Sequence, residues 1–562
     1  MDGKKIMGAV VALLVLVCIG LVCIGGVVYT YQDDLQAVMG TKQSQKTAQL
    51  LPEDTQLYMA FTPNVQAIPG YQNLKTLYLD NPEIRAILDN AEEEIKSDSE
   101  VNFREDILPW LGTEVVIAMP RFADAVAEQS NDTPDLIISM QSRDLAASNA
   151  FVSQEVNNPK NEPFTNEEYQ GVTLHVQPQT TGDYDEMIIA TINDLVVISS
   201  NKDMIKGIVD KSKGSEAKSL VDNPNYAKIV SEMPTNGIST IYVEVTSMMD
   251  IMLDEAAVPL PPEQLQNVKA FKAIAVMGLL EADGIQFDMV VNFDADMLSE
   301  DMKTALKQDP SPNAILANIP ADALFSISSF SLKRIWEQSK VSLEENPDFS
   351  ETMQDFEQEV GLNIDEDIFS WMTGEYAIVG VEAEPADEFS PPAGGYILIG
   401  SNDVGDAKTK VQKMIDVMLE QTGGLIEFEP ATVQGIELNE ALDFMGEPTG
   451  GYYGFHNDYF VSAYPEDAVK ALGNASQNSL ADDANFKAIQ AHLPSSNTGY
   501  FYVNFDKLRP LIEDNMSPAD KADYDEQARP FLEPVHAMGS ANSTEGMDTG
   551  VAKGSIFFLI TE

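Results

Sequence analysis

Two stretches of the sequence recur later in the chain at almost the same offset. Residues 105–119 (EDILPWLGTEVVIAM) match residues 366–380 (EDIFSWMTGEYAIVG) at six of fifteen positions. Residues 219–229 (SLVDNPNYAKI) match residues 479–489 (SLADDANFKAI) at five of eleven positions, and the two offsets are 261 and 260. A period this long is the size of a whole domain rather than of a solenoid repeat. We therefore predict two tandem copies of one domain.

Each predicted copy mixes strand-like and helix-like segments. The Trp-containing segment leads into an apolar strand, EVVIAM or EYAIVG, and a polar loop at 120–134 or 382–395 separates it from a second strand. A helix, several short strands, another helix and a Tyr-rich strand (STIYVEV or GYFYVNF) follow, and a polar loop then precedes the terminal strands. Strands at hairpin spacing with helices between them predict an α+β fold with a largely antiparallel sheet.

An uncharged apolar run lies near the N-terminus, at residues 6–28. As a helix it would rise about 34 Å, enough to cross a hydrocarbon core of about 30 Å. Lys4 and Lys5 precede the run and Asp33 and Asp34 follow it, so the positive-inside rule places the N-terminus in the cytoplasm. The alternative is a cleaved signal peptide, whose apolar region is usually shorter. We favour a retained signal anchor.

These features predict a single-pass protein of the cell membrane with most of the chain outside the cytoplasm. The predicted divisions are a cytoplasmic tip and transmembrane anchor at 1–32, a juxtamembrane linker at 33–50, repeat 1 at 51–298, a linker at 299–318 and repeat 2 at 319–562.

The charge balance excludes one class of partner. Asp and Glu number 90 and Lys and Arg number 34, which gives a net charge of −56. Nucleic-acid binding needs a basic face, so we expect no nucleic-acid partner. Hydrophobic residues make up 44% of the chain, which is typical of a folded protein rather than a disordered acidic one. Both cysteines lie in the apolar run, so disulfides and thiolate sites outside it are excluded.

Catalytic motifs are absent from the sequence. The four histidines show no HExxH spacing, and no GxSxG or phosphate-binding glycine loop occurs. Ser215 and Lys218 fit the short SxxK pattern, but the SDN and KTG motifs that accompany it in serine acyl enzymes are missing. We predict no catalytic residue and no organic cofactor.

Both copies carry a Glu four residues after the Trp: Trp110 with Glu114, and Trp371 with Glu375. One interpretation is a binding site that occurs twice. The other is structural: each Trp fills the core, and each Glu caps a turn or pairs with Lys or Arg. We favour the structural interpretation and keep these four residues as the candidate binding residues.

Acidic clusters raise the possibility of a hard cation. Asp365 and Asp367, and Asp294 and Asp296, offer the carboxylate oxygens that Ca²⁺ prefers. Neither cluster matches the EF-hand loop, and the alternative is a solvated acidic surface. Ca²⁺ is thus a weak prediction at these two places.

The sequence resembles an uncharacterised bacterial family of membrane-anchored extracytoplasmic proteins, classed as a domain of unknown function. The resemblance is carried by the anchor, by LPEDTQLYMAF at 51–61, and by EDILPWLGTEV with its later copy EDIFSWMTGEY. The second copy departs from Trp-Leu-Gly and reads Trp371-Met372-Thr373, with glycine at 374. The resemblance implies architecture and topology but no activity.

The predicted anchor, the duplication and the absence of catalytic motifs together favour a non-enzymatic binding or scaffold protein of the cell envelope. Its partners would be the membrane, through the N-terminal helix, and envelope proteins, with the loops at 120–134 and 382–395 as contact surfaces. A structural subunit of a larger membrane complex is one alternative. A carboxylate-dependent hydrolase acting on an envelope polymer is another.

Overall fold

The structure, a computed structural model, describes most of the chain beyond residue 44. The described residues are 45–63, 70–87, 106–123, 135–159, 162–178, 186–249, 262–307, 309–330, 332, 336, 357–358, 361–385, 391–423 and 425–562. The chain divides into two compact units, which we call unit 1 (Met1–Leu298 with Thr561–Glu562) and unit 2 (Ser299–Ile560).

Unit 1 contains an antiparallel sheet, of which ten strands lie in the described residues. They are β1 (Leu57–Phe61), β2 (Leu111–Met119), β3 (Ile137–Ser142), β4 (Thr165–Tyr169), β5 (Val172–Pro178), β6 (Glu186–Ile192), β7 (Leu195–Ser199), β8 (Ser239–Glu244), β9 (Phe271–Glu281) and β10 (Gly284–Phe293). Their order across the sheet is β4-β5-β6-β7-β3-β2-β1-β8-β9-β10.

Unit 2 also contains an antiparallel sheet with ten described strands. They are β11 (Phe325–Ser329), β12 (Met372–Glu382), β13 (Ala393–Ser401), β14 (Ile426–Val433), β15 (Ile436–Asp443), β16 (Pro448–His456), β17 (Tyr459–Tyr464), β18 (Phe501–Asn504), β19 (Val535–Asn542) and β20 (Val551–Ile560). Their order is β14-β15-β16-β17-β13-β12-β11-β18-β19-β20. Position for position, this is the strand order of unit 1.

Helices occupy the connections between strands in both units. The described helices are α1 (Tyr71–Leu74), α2 (Leu145–Val156), α3 (Lys202–Ser212), α4 (Pro224–Glu232), α5 (Pro262–Ala270), α6 (Glu300–Leu306), α7 (Val404–Thr422), α8 (Glu466–Ala475), α9 (Ala484–Gln490), α10 (Phe505–Asp514), α11 (Pro518–Gln527) and α12 (Arg529–Leu532). Antiparallel sheets with inserted helices confirm the predicted α+β class.

Side-chain caps fix where several of these helices begin. The Asp144 carboxylate accepts hydrogen bonds from the backbone of the first turn of α2, and Asp403 does the same for α7. Asn223 caps α4, whose first residue is Pro224. Such caps satisfy N–H groups that have no partner inside the helix, and each contributes about 1 kcal/mol.

The main core of unit 2 lies on one face of its sheet. Val379 and Leu398 on the central strands pack against Val469 and Leu472 of α8, and all four side chains are buried. Phe486 and Ile489 of α9 extend the same core. The opposite face carries a smaller cluster, in which α7 packs over only part of the sheet.

Two details of the secondary structure differ from prediction. The polar loop predicted after GYFYVNF is wrong: α10 and α11 occupy this stretch. Charged residues dominate both helices, but Asn504 and Ser517 accept backbone hydrogen bonds at their N-termini. Strands β4 and β14 were not predicted, because their Glu-rich sequences, TNEEY and IEFEPATV, leave most of each strand incompletely buried.

Among the residues that the structure describes, no helix is both long and apolar enough to span a bilayer. The predicted anchor at 6–28 lies outside the described residues.

Candidate functional site

The structure places both repeated tryptophans in the interior of their units. Trp110 precedes β2 directly, and only 1% of its surface is exposed. Its indole N–H donates to the carbonyl of Asp106 at 2.6 Å, and its ring packs on Phe151 of α2 at a centroid distance of 5.6 Å. Trp110 therefore belongs to the packing between the sheet and α2.

Trp371 has the corresponding place before β12, with different polar contacts. Its ring meets Phe455 and Phe460 edge-on, and its indole N–H has no hydrogen-bond partner among the described residues. The buried hydroxyl of Ser401, opposite Met372 on β13, also has none there. A buried donor without a partner costs about 1–3 kcal/mol, so this corner of unit 2 is less well satisfied than its counterpart.

Both repeated glutamates are buried and accept hydrogen bonds from segments that precede the first strand of their unit. Glu114 Oε2 accepts from the backbone N–H and the hydroxyl of Thr47, at 3.3 and 3.2 Å. Glu375 accepts from the backbone N–H of Ile315 at 3.2 Å and from the Tyr459 hydroxyl at 2.8 Å. Burial, together with the Glu375 carboxylate, raises the pKa of Tyr459, so that its hydroxyl stays protonated and donates.

The four candidate cation ligands make contacts of other kinds. Asp365 accepts from the indole N–H of Trp336 at 2.7 Å, and Asp367 forms an ion pair with Lys413 at 2.6 Å. Asp294 accepts from the backbone N–H of Asp296 at 3.1 Å. Within the described part of the chain, no group of three or more His, Cys, Asp or Glu is arranged to hold a metal ion.

The most distinctive surface of unit 2 is a groove on the sheet face opposite the main core. Phe325, Gly380, Gly395 and Tyr464 lie side by side across strands β11, β12, β13 and β17. A Cβ atom at Gly380 would collide with the Phe325 ring, and one at Gly395 would lie 2.5 Å from the carbonyl oxygen of Val379. Gly380 therefore leaves room for the Phe325 ring, and Gly395 allows the close approach of the Val379 carbonyl on the neighbouring strand.

Apolar side chains continue the groove along the sheet. The next row consists of Ile327, Ile378 and Ile397, which are in register on β11, β12 and β13 and are 36%, 39% and 41% exposed. Ile415 and Met418 of α7 line the opposite side. Isoleucine is usually buried, so three adjacent exposed isoleucines form an apolar surface of the kind that marks binding sites.

The far end of the groove is aromatic. Phe428 of β14 meets Tyr453 of β16 edge-on at a centroid distance of 4.7 Å. Two further lining residues, Tyr396 and Tyr452, have side chains in the main core on the other face of the sheet, where Tyr452 donates to Glu440 at 2.7 Å and Tyr396 to the carbonyl of Asn318 at 2.9 Å. The groove has a volume of about 590 Å³ and no charged lining residue. We call it the apolar groove.

Unit 1 has the same strand positions but not the same surface. The counterpart of the isoleucine row is Met59, Ile117 and Ile138, in register on β1, β2 and β3. Met59 is 7% exposed and packs in a buried cluster with Ile117. Met119 stands opposite Leu57 where Gly380 stands opposite Phe325 in unit 2.

A family of uncharacterised proteins matches almost the whole chain. The family is described as a protein of unknown function, DUF3352, and its match covers residues 10–560. The chain belongs to the DUF3352 family. This confirms the predicted resemblance to a domain-of-unknown-function family.

Other comparisons add little to the family assignment. No curated protein matches this DUF3352 chain. Crystal forms I and III of TP0453 match at 11% identity, with TM-scores of 0.23 and 0.24. These matches cover 44% and 46% of this chain, and 78% and 84% of theirs. At such TM-scores, they do not establish a shared fold.

The apolar groove of this DUF3352 chain was not predicted from the sequence. Its signals were present: Gly394 and Gly395 open the strand AGGYILIGS, and aromatic residues cluster in GGYYGF and YFVSAY. Only the register of β12 against β13 shows that Gly380 and Gly395 lie side by side. Of the loops predicted as contact surfaces, residues 124–134 and 386–390 lie outside the described residues.

Proposed function

We propose that this protein is a membrane-tethered, extracytoplasmic binding protein without enzymatic activity, and that unit 2 holds an apolar chain in the apolar groove. The observation that carries the proposal is the groove itself. Its volume of about 590 Å³ lies within the range of small-molecule sites, roughly 300–1,000 Å³.

The tether is the uncharged run at 6–28, with lysines before it and aspartates after it. Its length and flanking charges favour a retained helix with the N-terminus in the cytoplasm. The binding unit would then work at the cell envelope, close to a membrane surface. Envelope proteins remain the expected macromolecular partners.

We further propose that the two units arose by duplication. The matched segments 105–119 and 366–380 lead into strands β2 and β12, which occupy the same place in two sheets of the same order. Pro52 bridges to Ser219 in unit 1 and Pro320 to Ser479 in unit 2. After duplication, the two copies would have diverged on this sheet face, where unit 2 has Gly380 opposite Phe325 and unit 1 has Met119 opposite Leu57.

The side chains that line the apolar groove favour an apolar ligand. The groove contains no charged side chain, and apart from Tyr396 and Tyr452, whose side chains lie in the main core, the polar side chains among its described lining residues are Tyr453, Ser462 and Tyr464, so its lining is mostly apolar. Apolar surface removed from water contributes about 25 cal/mol per Å². The net charge of −56 disfavours an anionic head group near the rim. The occupant that fits is the acyl chain of an uncharged or zwitterionic lipid.

Photo-crosslinking tests this assignment. The full chain, reconstituted in phosphatidylcholine nanodiscs, is irradiated with a diazirine-bearing monoacylglycerol, and labelled peptides are mapped by mass spectrometry. We expect labelling of peptides that contain Ile397, Met418 or Tyr453. Gly451→Leu should reduce this labelling about tenfold, which corresponds to about 1.4 kcal/mol, because the new side chain occupies the groove.

Gly451 is suited to this test because a Cβ there meets its nearest neighbours at 3.6 Å, an ordinary contact. The matched control is Gly207→Leu in α3 of unit 1, where a Cβ has nothing within 4 Å. Equal labelling of the groove peptides in both variants would contradict the proposal, as would labelling confined to the 6–28 segment.

A further inference from the structure

A second apolar surface lies at the tip of the hairpin that joins β15 to β16. Phe444 and Met445 are 70% and 68% exposed. Leu425, just before β14, is 63% exposed. Ile426 pairs with Asp443 at one end of the β14–β15 ladder. Leu425 and Phe444 are the next residues beyond this pair, so they lie at the same end of the two strands. We call Leu425, Phe444 and Met445 the apolar tip.

The tip is a fixed turn. The Asp443 carboxylate accepts hydrogen bonds from the backbone N–H groups of Met445 and Glu447, at 2.8 and 2.9 Å. The Asp443 N–H donates to the carbonyl of Glu447 at 2.9 Å, and the Gly446 N–H donates to the carbonyl of Asp443 at 2.9 Å. A carboxylate that bonds to its own turn holds the two apolar side chains at the end of the hairpin.

The tip adjoins the apolar groove. Phe428 of β14 and Ala441 of β15 line the groove and pair with each other. The pair Ile426–Asp443, next to the tip, is two positions further along the same two strands. Gly451 lines it on β16, three residues after Pro448 begins that strand. The Ile426–Asp443 pair is therefore the same-face row that separates the tip from the groove.

We infer that the apolar tip inserts into the head-group region of a zwitterionic bilayer. The inference rests on the proposed function, because the tether would keep the chain at a membrane. Phenylalanine, leucine and methionine are side chains that enter the apolar side of a membrane interface. Three side chains are too few for a specific protein interface, which buries about 1,200–2,000 Å².

The charges near the tip decide between lipid classes. Glu427, Asp443 and Glu447 are acidic, and residues 425–429 and 441–449 contain no lysine or arginine. A leaflet rich in anionic lipid would repel this acidic rim. The ammonium groups of a zwitterionic surface complement it.

A fluorescent label on the tip tests the inference. The full chain with Cys18→Ala and Cys23→Ala has no other cysteine, so Met445→Cys can carry one environment-sensitive dye. In phosphatidylcholine nanodiscs, we expect blue-shifted emission and at least threefold protection from iodide quenching. The control is the dye at Asp458→Cys, which is exposed beyond the other end of β16, about 30 Å along the strand.

Two further measurements test whether the protection depends on lipid charge and on the apolar side chains of the tip. Nanodiscs of equal parts phosphatidylcholine and phosphatidylglycerol should reduce the protection at residue 445, and so should Leu425→Ser with Phe444→Ser. Equal quenching at residues 445 and 458 would overturn the inference. Protection that requires an added protein rather than lipid would also overturn it, in favour of a protein interface.

Failure of the inference can be told apart from failure of the proposed function. Groove labelling by the photoactivatable monoacylglycerol is measured on the same nanodiscs. Labelling that persists without protection of the tip rejects the membrane contact alone. Protection of the tip without groove labelling rejects the bound acyl chain and retains the membrane contact.

Discussion

At the scale of single residues, the buried Glu375 connects two distant parts of unit 2. It accepts one hydrogen bond from Ile315 and one from Tyr459. Tyr459→Phe would keep the ring but remove the donor from a buried carboxylate. We expect this change to lower the free energy of unfolding by about 1–3 kcal/mol, measured as a lower thermal midpoint by circular dichroism.

The matched control for this prediction is Tyr464→Phe. Tyr464 lies at the other end of β17 and is 51% exposed, so loss of its hydroxyl should change stability by less than about 0.5 kcal/mol. Equal effects of the two substitutions would show that Tyr459 does not support Glu375.

The sequence indicated half of this residue-scale arrangement. The repetition of Glu114 and Glu375 beside a tryptophan favoured a structural role, either as a cap of a turn or as a partner of Lys or Arg, and both side chains accept backbone hydrogen bonds. Tyr459 was not predicted as a partner, because it lies 84 residues from Glu375 along the chain. Only the packing of β17 beside β13 brings it near.

At the scale of elements, three tyrosines join two strands and a helix in unit 1. Tyr226 of α4 meets Tyr58 of β1 and Tyr242 of β8 edge-on, at centroid distances of 5.8 and 5.2 Å. Burial raises the pKa of all three hydroxyls above the usual value of about 10. In the folded protein they stay protonated at a pH where an unfolded chain would lose the proton.

This pKa shift predicts a loss of stability in alkali. The contribution is fully present below about pH 10, and above it falls by about 1.4 kcal/mol per pH unit for each buried tyrosine, until the folded pKa is reached. Urea unfolding at pH 9, 10 and 11, followed by circular dichroism, measures the slope. Tyr242→Phe should make the slope shallower, and an unchanged slope in this variant would contradict the prediction.

Elements differ in how far the sequence predicts them. Alternating or apolar runs such as GIQFDMVVNF mark strands with one buried face, and β10 spans that run. Helix α11 carries few apolar residues, so periodicity does not reveal it, whereas α10 places Phe505, Leu508 and Ile512 at helical spacing and was missed despite that signal. The apolar groove depends on which glycine stands beside which aromatic residue across four strands, and a register of that kind is set by tertiary pairing.

At the scale of the whole molecule, the net charge of −56 is the dominant electrostatic feature. Exposed ion pairs such as Lys303 with Glu300 contribute little each. With 90 acidic and 34 basic residues, repulsion among carboxylates exceeds what the ion pairs offset. Since unfolding separates these charges, repulsion destabilises the compact state.

Screening this repulsion should therefore stabilise the protein. Sodium chloride at 0.15 M shortens the Debye length to about 8 Å, compared with about 30 Å at 0.01 M, so we expect the thermal midpoint to rise over that range. Mg²⁺ and Ca²⁺ at equal concentration should raise the thermal midpoint further and by the same amount, because screening depends on charge alone.

A rise specific to Ca²⁺ would instead indicate a Ca²⁺ site, for which Asp365 and Asp367 are the first residues to substitute. A thermal midpoint that stays level or falls with sodium chloride would contradict the prediction. Salt would then weaken the attractive ion pairs at least as much as it weakens the repulsion among carboxylates.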